Sequence, residues 1–524
     1  MTNPSNNTPT SDTPSFEQNM LATAKGGSIL AAGQLLELGG RFITALLLAR
    51  LLGAGEYGMY TLALSAAAIA AAVAGFGLDS AMIRYVAIQA KKQDGAGLWG
   101  TVQLGIAGTL GSSLVLGTGL YFLAAPIAEQ LFNEPKLVPL LQLLSIVVPF
   151  LALSDLLVGI AHGFKKMEYS AIARNFVQIL VRIALLVVFA LIGLNAFLTV
   201  IAFGIFDVAA SLVMISLLSR DLSWKRPLNS ARRDTREIFN YSLPFWLSGM
   251  LTKFRKNIQI ILLGSFSTVT SVGIFALASK INLIGHIAYS SIIASVKPVI
   301  AEVHTLDNRK EMQRLYQTTT RWTLMFNLPM FLIMVLFPGA ILSIFGQSFV
   351  GGATALVILA CAELVNAGTG ICGSIIDMTG YTKMKLVNSV LWVVISISAN
   401  FLLIPYWGLL GAAAAVFISM ATINILRVAE VWFIFRIIPY NWSFLKPVSA
   451  GLVAFALVTV VEKWLPAEEN LVFLIVDSLI VLATYAAVIL MSGLAPEDRT
   501  VVARMYRRAA SIFARNRTVL ARLL

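Results

Sequence analysis

The chain has 524 residues, 58% of them hydrophobic and only 12% charged, with a mean hydropathy of +0.82. A soluble domain carries about 25% charged residues, so this composition excludes a soluble globular protein and implies an all-α polytopic membrane protein. The net charge of +13 would point to nucleic acid in a soluble chain. Here the basic residues fall between hydrophobic runs, where membrane orientation accounts for them and no nucleic-acid partner is implied.

Residues 1–24 are polar and rich in Asn, Ser, Thr and Pro. They lack the basic start and apolar core of a signal peptide and read as a disordered cytoplasmic tail. A membrane span needs about 20 mostly apolar residues. That rule predicts fourteen helices, centred near residues 40, 68, 110, 150, 182, 207, 253, 282, 331, 365, 396, 420, 455 and 482. Spans 1–6 form an N-lobe over 25–219, and a charged cytoplasmic linker occupies 220–240. Spans 7–12 form a C-lobe over 241–440, spans 13 and 14 lie within 441–493, and residues 494–524 form a basic amphipathic cytoplasmic tail. Arg84, Lys91, Lys92, Lys165, Lys166, Arg174 and the Arg220–Arg236 cluster fall in one set of connections. The alternate set holds little beyond Lys136 and Lys463. The first set is therefore cytoplasmic, as are both termini, and the expected location is the plasma (inner) membrane.

Charges inside the spans carry the functional information, because an ionisable side chain at bilayer depth is costly and marks a pathway or a bundle interior. In the first span Gln34, Glu37 and Arg41 recur at helical spacing on one face. Glu37 either pairs with Arg41 or lines a cavity beside it, and Gly39-Gly40 invite bending there. Arg182 follows in the fifth span and Asp207 in the sixth. The seventh, YSLPFWLSGMLTKFRKNIQIILLGSF from Tyr241 to Phe266, carries Lys253, Arg255 and Lys256 near its middle. Each such cation costs about 2.5–3.5 kcal/mol on insertion scales, so three together call for a wet or anionic surrounding. Lys253 and Lys256 share a helical face and Arg255 points away. Lys280 lies in the eighth span and Glu363 in the tenth, while Asp155 and Asp377 lie nearer the cytoplasmic ends. The basic set (Arg41, Arg182, Lys253, Arg255, Lys256, Lys280) outnumbers the acidic one, which points to an anionic cargo. Glu37, Asp207 and Glu363 remain for ion coupling or charge pairing. Two cysteines, Cys361 and Cys372, and three scattered histidines make no metal or disulfide pattern. Phosphate-binding loop, zinc spacing and nucleophile elbow are all missing from the sequence, so neither a cofactor nor an enzyme activity is expected.

An internal repeat organises these residues. YGMYTLALS from Tyr57 to Ser65 matches VGIFALASK from Val272 to Lys280, pairing Gly58 with Gly273 at an offset of 215. HGFKKM from His162 to Met167 matches TGYTKM from Thr379 to Met384, pairing Gly163 with Gly380 at an offset of 217. Six spans separate paired positions, so the two lobes are parallel repeats, an arrangement typical of transporters. At the first offset Arg41 pairs with Lys256.

The stretches ALLLARLLGAGEYGMYTLALS (Ala45–Ser65), GFGLDSAMIRYVA (Gly75–Ala87) and HGFKKMEYSAIARN (His162–Asn175) resemble polysaccharide-biosynthesis, or Wzx-like, oligosaccharide flippases. That family belongs to a superfamily with the multidrug and toxin extrusion exporters and the lipid II flippases. The resemblance implies a transporter that moves undecaprenyl-pyrophosphate-linked oligosaccharide to the outer leaflet by alternating access, through a cationic central cavity, for O-antigen, capsule or exopolysaccharide assembly. It implies membrane lipids, a polysaccharide polymerase and glycosyltransferases as partners. Two alternatives stand beside it: a lipid II flippase or cation-coupled drug exporter, and a non-transporting scaffold for glycosyltransferases.

Overall fold

The structure, a computed structural model, describes residues 16–222, 235–464 and 471–493; the side chains of 16–38, 41, 235, 248, 252, 256 and 462–464 lie outside the described set. The expectations placed on residues 1–15 of the N-terminal tail, on most of the 220–240 linker, on the C-terminal tail and on the side chains of Glu37, Arg41 and Lys256 therefore fall outside it, while residues 16–24, read as tail, belong to the first helix. The described residues form helices joined by short turns, with no strand among them. We label them α1 (Phe16–Ala74), α2 (Leu78–Lys91), α3 (Gly95–Phe122), α4 (Leu137–Gly163), α5 (Met167–Ile192), α6 (Ala196–Leu218), α7 (Thr235–Phe266), α8 (Val269–Thr305), α9 (Arg309–Leu336), α10 (Gln347–Thr369), α11 (Thr382–Phe435), α12 (Leu445–Trp464) and α13 (Leu471–Met491).

Eleven helices among the described residues are long and apolar enough to cross a membrane, against the fourteen predicted. The difference arises where the chain departs from a plain apolar helix. Both α1 and α11 run through a non-helical glycine, Gly53 (φ 67°, ψ 175°) and Gly408 (φ 50°, ψ −121°). The charges of α7 leave only Asn257–Phe266 as an apolar stretch. The helix is continuous through Gly39-Gly40, so the break in α1 comes at Gly53 and not at the glycine pair. Pro244 likewise sits inside an unbroken α7.

The starts of the helices were written locally. Asp94, Asn195, Thr268 and Asn308 precede α3, α6, α8 and α9, and each side chain accepts a bond from an otherwise orphaned N–H of the first turn. Left-handed backbone sites recur at nearly constant spacing: Gln93 with Asp307, Asn133 with Gly346, Lys165 with Gly380 and Gly193 with Gly408. The helix end, cap and left-handed residue are Gly163, Phe164 and Lys165 in one copy and Met378, Thr379 and Gly380 in the other. Every pair in that set is 215 apart, so the backbone equates Gly380 with Lys165 rather than with Gly163. The offset is then the one that pairs Gly58 with Gly273. The sequence match at 217 arose because Gly163 is glycine for another reason: a Cβ there would strike Val86 and the carbonyl of Met82.

By packing the chain divides into two units, residues Met1–Leu52 with Met59–Asn257 and residues Gly53–Gly58 with Ile258–Leu524. The chain passes between them twice within α1 and once within α7. In the first unit α2, α3, α4 and α6 meet around Leu78, Met82, Val102, Leu156, Ile160 and Leu218, with Ile238 of α7 closing the cluster. Gly159 of α4 allows this, since a Cβ there would collide with the carbonyl of Asp79. In the second unit Val296, Ile300 and Val303 of α8 pack with Met312 and Tyr316 of α9 and Ile375 and Val431 beyond. The last two helices, α12 and α13, pack on α9 through Leu328, Leu332, Ala450, Ala454 and Val481. The repeat glycines Gly58 and Gly273 meet within this unit. A Cβ on Gly58 would strike the carbonyl of Val269 and one on Gly273 the carbonyl of Ala54, so each packs against the residue four before its partner.

Candidate functional site

Between the end of α1, the start of α2 and the middle of α7 lies a polar cavity of about 70 Å³. Backbone geometry creates it. Phe76 and Gly77 both take positive φ (44° and 65°), which ends α1 and turns the chain directly into α2. Glycine is required at 77 for a second reason: a Cβ would lie 2.5 Å from the Ser242 carbonyl oxygen and 2.7 Å from the Trp246 nitrogen. The α7 backbone thus comes within contact distance of the turn. Trp246 secures it there, donating from Nε1 to the Val73 carbonyl at 3.0 Å and stacking on Phe76 at 5.1 Å between centroids.

Lys253, two turns further along α7, reaches into the cavity that Asp79, Thr109 and Asp155 also line. Its Nζ donates to Asp155 Oδ2 at 2.6 Å. The other carboxylate oxygen, Oδ1, accepts from Arg174 Nη2 at 2.7 Å. Arg174 is held from a second direction by Ser154 Oγ, at 3.2 Å from Nε and 3.0 Å from Nη2. One carboxylate therefore bridges two cations, one per oxygen. With Asp79 the group is two acids and two bases, neutral in sum. The lysine side chain nevertheless stays 45% exposed, so the pair is open to a competing anion. Arg174 lies in a π-helical stretch, Ala171–Val177. Such stretches favour functional sites because the extra residue per turn re-aims a side chain.

The structure separates the other residues singled out from sequence. Arg255 is exposed and is not among the residues lining the cavity. Arg182 stacks its guanidinium over Phe206 at 4.2 Å. Its neighbour Asp207 is buried and accepts from Gln178 Nε2 at 3.4 Å. These two residues sit between α5 and α6 and do not line the Lys253 cavity, but Asp207 is within electrostatic reach of Arg174 and Asp155. Lys280 belongs to the second unit, where its Nζ donates to Tyr57 Oη at 2.7 Å. Glu363, also in the second unit, meets His286 Nδ1 at 3.0 Å and accepts from Asn366 Nδ2 at 3.2 Å, and Asn424 Nδ2 in turn donates to Asn366 Oδ1 at 3.4 Å. Glu363 is thus one member of a buried polar network.

Sequence reasoning put Arg174 in a cytoplasmic connection and gave Asp79 no role. The structure continues α5 back to Met167, which brings Arg174 onto a helix beside Asp155. A carboxylate in a predicted span, Asp155, was the available signal, and its partner lay just beyond an assumed helix boundary. The excess of cations inferred from counting also changes meaning. Lys253 is not a bare charge awaiting an anion, since Asp155 already occupies it.

A family model described as polysaccharide biosynthesis protein matches residues 23–304, more than half of the chain. A second, described as MatE, matches residues 244–402. The probable flippase AglR of Haloferax volcanii is 25% identical over 303 residues, 56% of this chain and 60% of that protein. The probable low-salt glycan biosynthesis flippase Agl15 of the same organism is 22% identical over 196 residues, 37% of this chain and 42% of that one. The chain therefore covers less than two thirds of the length of each. Among solved structures, the lipid II flippase MurJ in an inward closed conformation aligns with a TM-score of 0.70 at 14% identity, over 89% of this chain and 98% of that one. The fold is shared with it.

Proposed function

The chain belongs to the polysaccharide biosynthesis protein family, and from that membership we propose that it flips a lipid-linked oligosaccharide across the membrane. In this reading the cargo is an undecaprenyl-diphosphate-linked oligosaccharide, carried from the cytoplasmic to the outer leaflet of the inner membrane for surface polysaccharide assembly. Both termini lie in the cytoplasm, and the repeats rock to expose the cargo on each side in turn. One observation carries the reading: Lys253 of α7 reaches a cavity lined by Asp155, and that carboxylate holds Lys253 by one oxygen and a second cation, Arg174, by the other. Two cations held on the two oxygens of one carboxylate suit a diphosphate, whose charge is spread over two phosphoryl groups. Arg41 and Lys256, whose side chains lie outside the described residues, are proposed to bind the same cargo. A polymerase and glycosyltransferases act on either side of the flipping step. The reaction makes and breaks no covalent bond.

The test is genetic and uses intact cells. With Lys253→Ala and Lys256→Ala combined, protein abundance stays near normal and surface polysaccharide is lost. Undiminished polysaccharide output from that variant would rule out the cavity as the cargo site. Rescue of a strain lacking its lipid II flippase would redirect the substrate to the peptidoglycan precursor.

A further inference from the structure

Lys253 and Arg174 are already engaged by an anion of the protein itself. Asp155 offers one oxygen to each cation, at 2.6 and 2.7 Å, much as two phosphoryl oxygens of a bound head group would. We propose that Asp155 is a built-in competitor that sets the minimum charge of the cargo. The cavity yields its two cations to a dianionic head group such as a diphosphate diester, and refuses a monoanionic one such as a phosphodiester-linked polyprenyl sugar. This inference rests on the flippase reading and names the chemistry by which that same site chooses.

Three observations support it. The first is charge. Asp79, Asp155, Arg174 and Lys253 sum to zero, and Asp207 is a further acid within electrostatic reach of Arg174 and Asp155, so a single negative charge finds no net attraction, and its exchange for Asp155 is one for one. A second charge supplies the surplus that displaces the carboxylate, because an ion pair in a partly desolvated site is worth more than one in water. The second is that the pair is not needed to hold α7. Trp246, bonded to Val73 and stacked on Phe76, already fixes the helix to the turn, independently of the ion pair. The third is the broken symmetry of the repeat. At the offset of 215 the positions matching Asp79, Asp155 and Arg174 are Ala294, Gly370 and Ser389, and Lys253 matches Leu38. The backbone plan occurs twice and this charge set once, so the plan does not require it.

The experiment is equilibrium binding to the purified full-length chain in lipid nanodiscs. Two probes carry one and the same glycan, on undecaprenyl diphosphate and on undecaprenyl phosphate as a phosphodiester. The wild type binds the diphosphate probe tighter by about tenfold or more, the scale of one additional close charge pair. In Asp155→Asn the monophosphate probe gains affinity by about tenfold and the preference falls to within about threefold, while Asp155→Glu restores it. Lys253→Gln gives a second reading that does not depend on how the aspartate variant folds. It weakens the diphosphate probe and leaves the monophosphate probe, which never gains the lysine, within about threefold of wild type. Equal discrimination by wild type and Asp155→Asn, or equal weakening of both probes in Lys253→Gln, overturns the inference alone. A wild type that binds neither probe overturns the flippase reading and this inference with it.

Discussion

Asp155, Arg174 and Lys253 show how little a list of charged residues says until their partners are known. Lys253 was legible as a cation at membrane depth, because nothing apolar about the segment explains it. Its partner Asp155 was visible only as a carboxylate near the cytoplasmic end of a predicted span, with nothing in the sequence to join it to Lys253. Arg174 was not, since hydropathy places helix ends only to within a turn or so and a cation near an end reads as a loop residue. The geometry makes a distinction that can be measured. Arg174→Gln removes one clamp of a pair whose members are about one-third exposed, so it should cost no more than about 1 kcal/mol of stability while transport falls markedly. Thermal unfolding and flipping rate measured on one preparation separate the two effects. Glu363 contrasts with this. It is buried and joined to both His286 and Asn366, so Glu363→Ala strands buried polar groups and should destabilise by about 1–3 kcal/mol. A shift in unfolding midpoint below that range would remove Glu363 from the structural network.

At the scale of elements, glycine and the left-handed backbone decide where the helices turn and how closely they pass. The paired Gly58 and Gly273 were found in the sequence as a match between repeats, with no indication that they would touch. The structure brings them together, each under the backbone of the other helix. Gly58→Val or Gly273→Val therefore forces backbones apart and should cost about 1–3 kcal/mol each. The double variant should cost less than the sum, because the two share one contact; additive losses would mean the glycines act separately. Gly77→Ala meets both a positive φ and the α7 backbone, so it should disturb the cavity wall more than Gly193→Ala, whose added Cβ meets nothing within 4 Å. The repeat itself was legible at offsets of 215 and 217, and only backbone landmarks showed that 215 serves both. A helix cap is fixed by dihedral angle rather than by residue type. Lys165 and Gly380 fill the same left-handed position with unlike side chains, which no comparison of letters reveals.

For the whole molecule, composition and the spacing of apolar runs were sufficient for an all-helical multi-pass protein. The number of spans was harder, because the glycine breaks in α1 and α11 and the cations of α7 interrupt the plain apolar pattern. Of those interruptions, the cations of α7 include Lys253, which carries the chemistry. Lys253 faces a cavity lined by two carboxylates, Asp79 and Asp155, the second of which also holds Arg174. The choice of cargo was legible only through resemblance, since phosphate, sugar and prenyl chain leave no spacing motif in a membrane helix. The central claim is that the chain flips a lipid-linked oligosaccharide whose diphosphate is received at Lys253. It is tested most directly by reconstituting the purified chain in liposomes with a fluorescent undecaprenyl-diphosphate oligosaccharide and timing access of an impermeant quencher. Wild-type vesicles should expose the inner-leaflet probe at least about tenfold faster than Lys253→Ala vesicles of equal protein content. Equal rates for the two, or a wild-type rate no greater than that of protein-free liposomes, would contradict the claim.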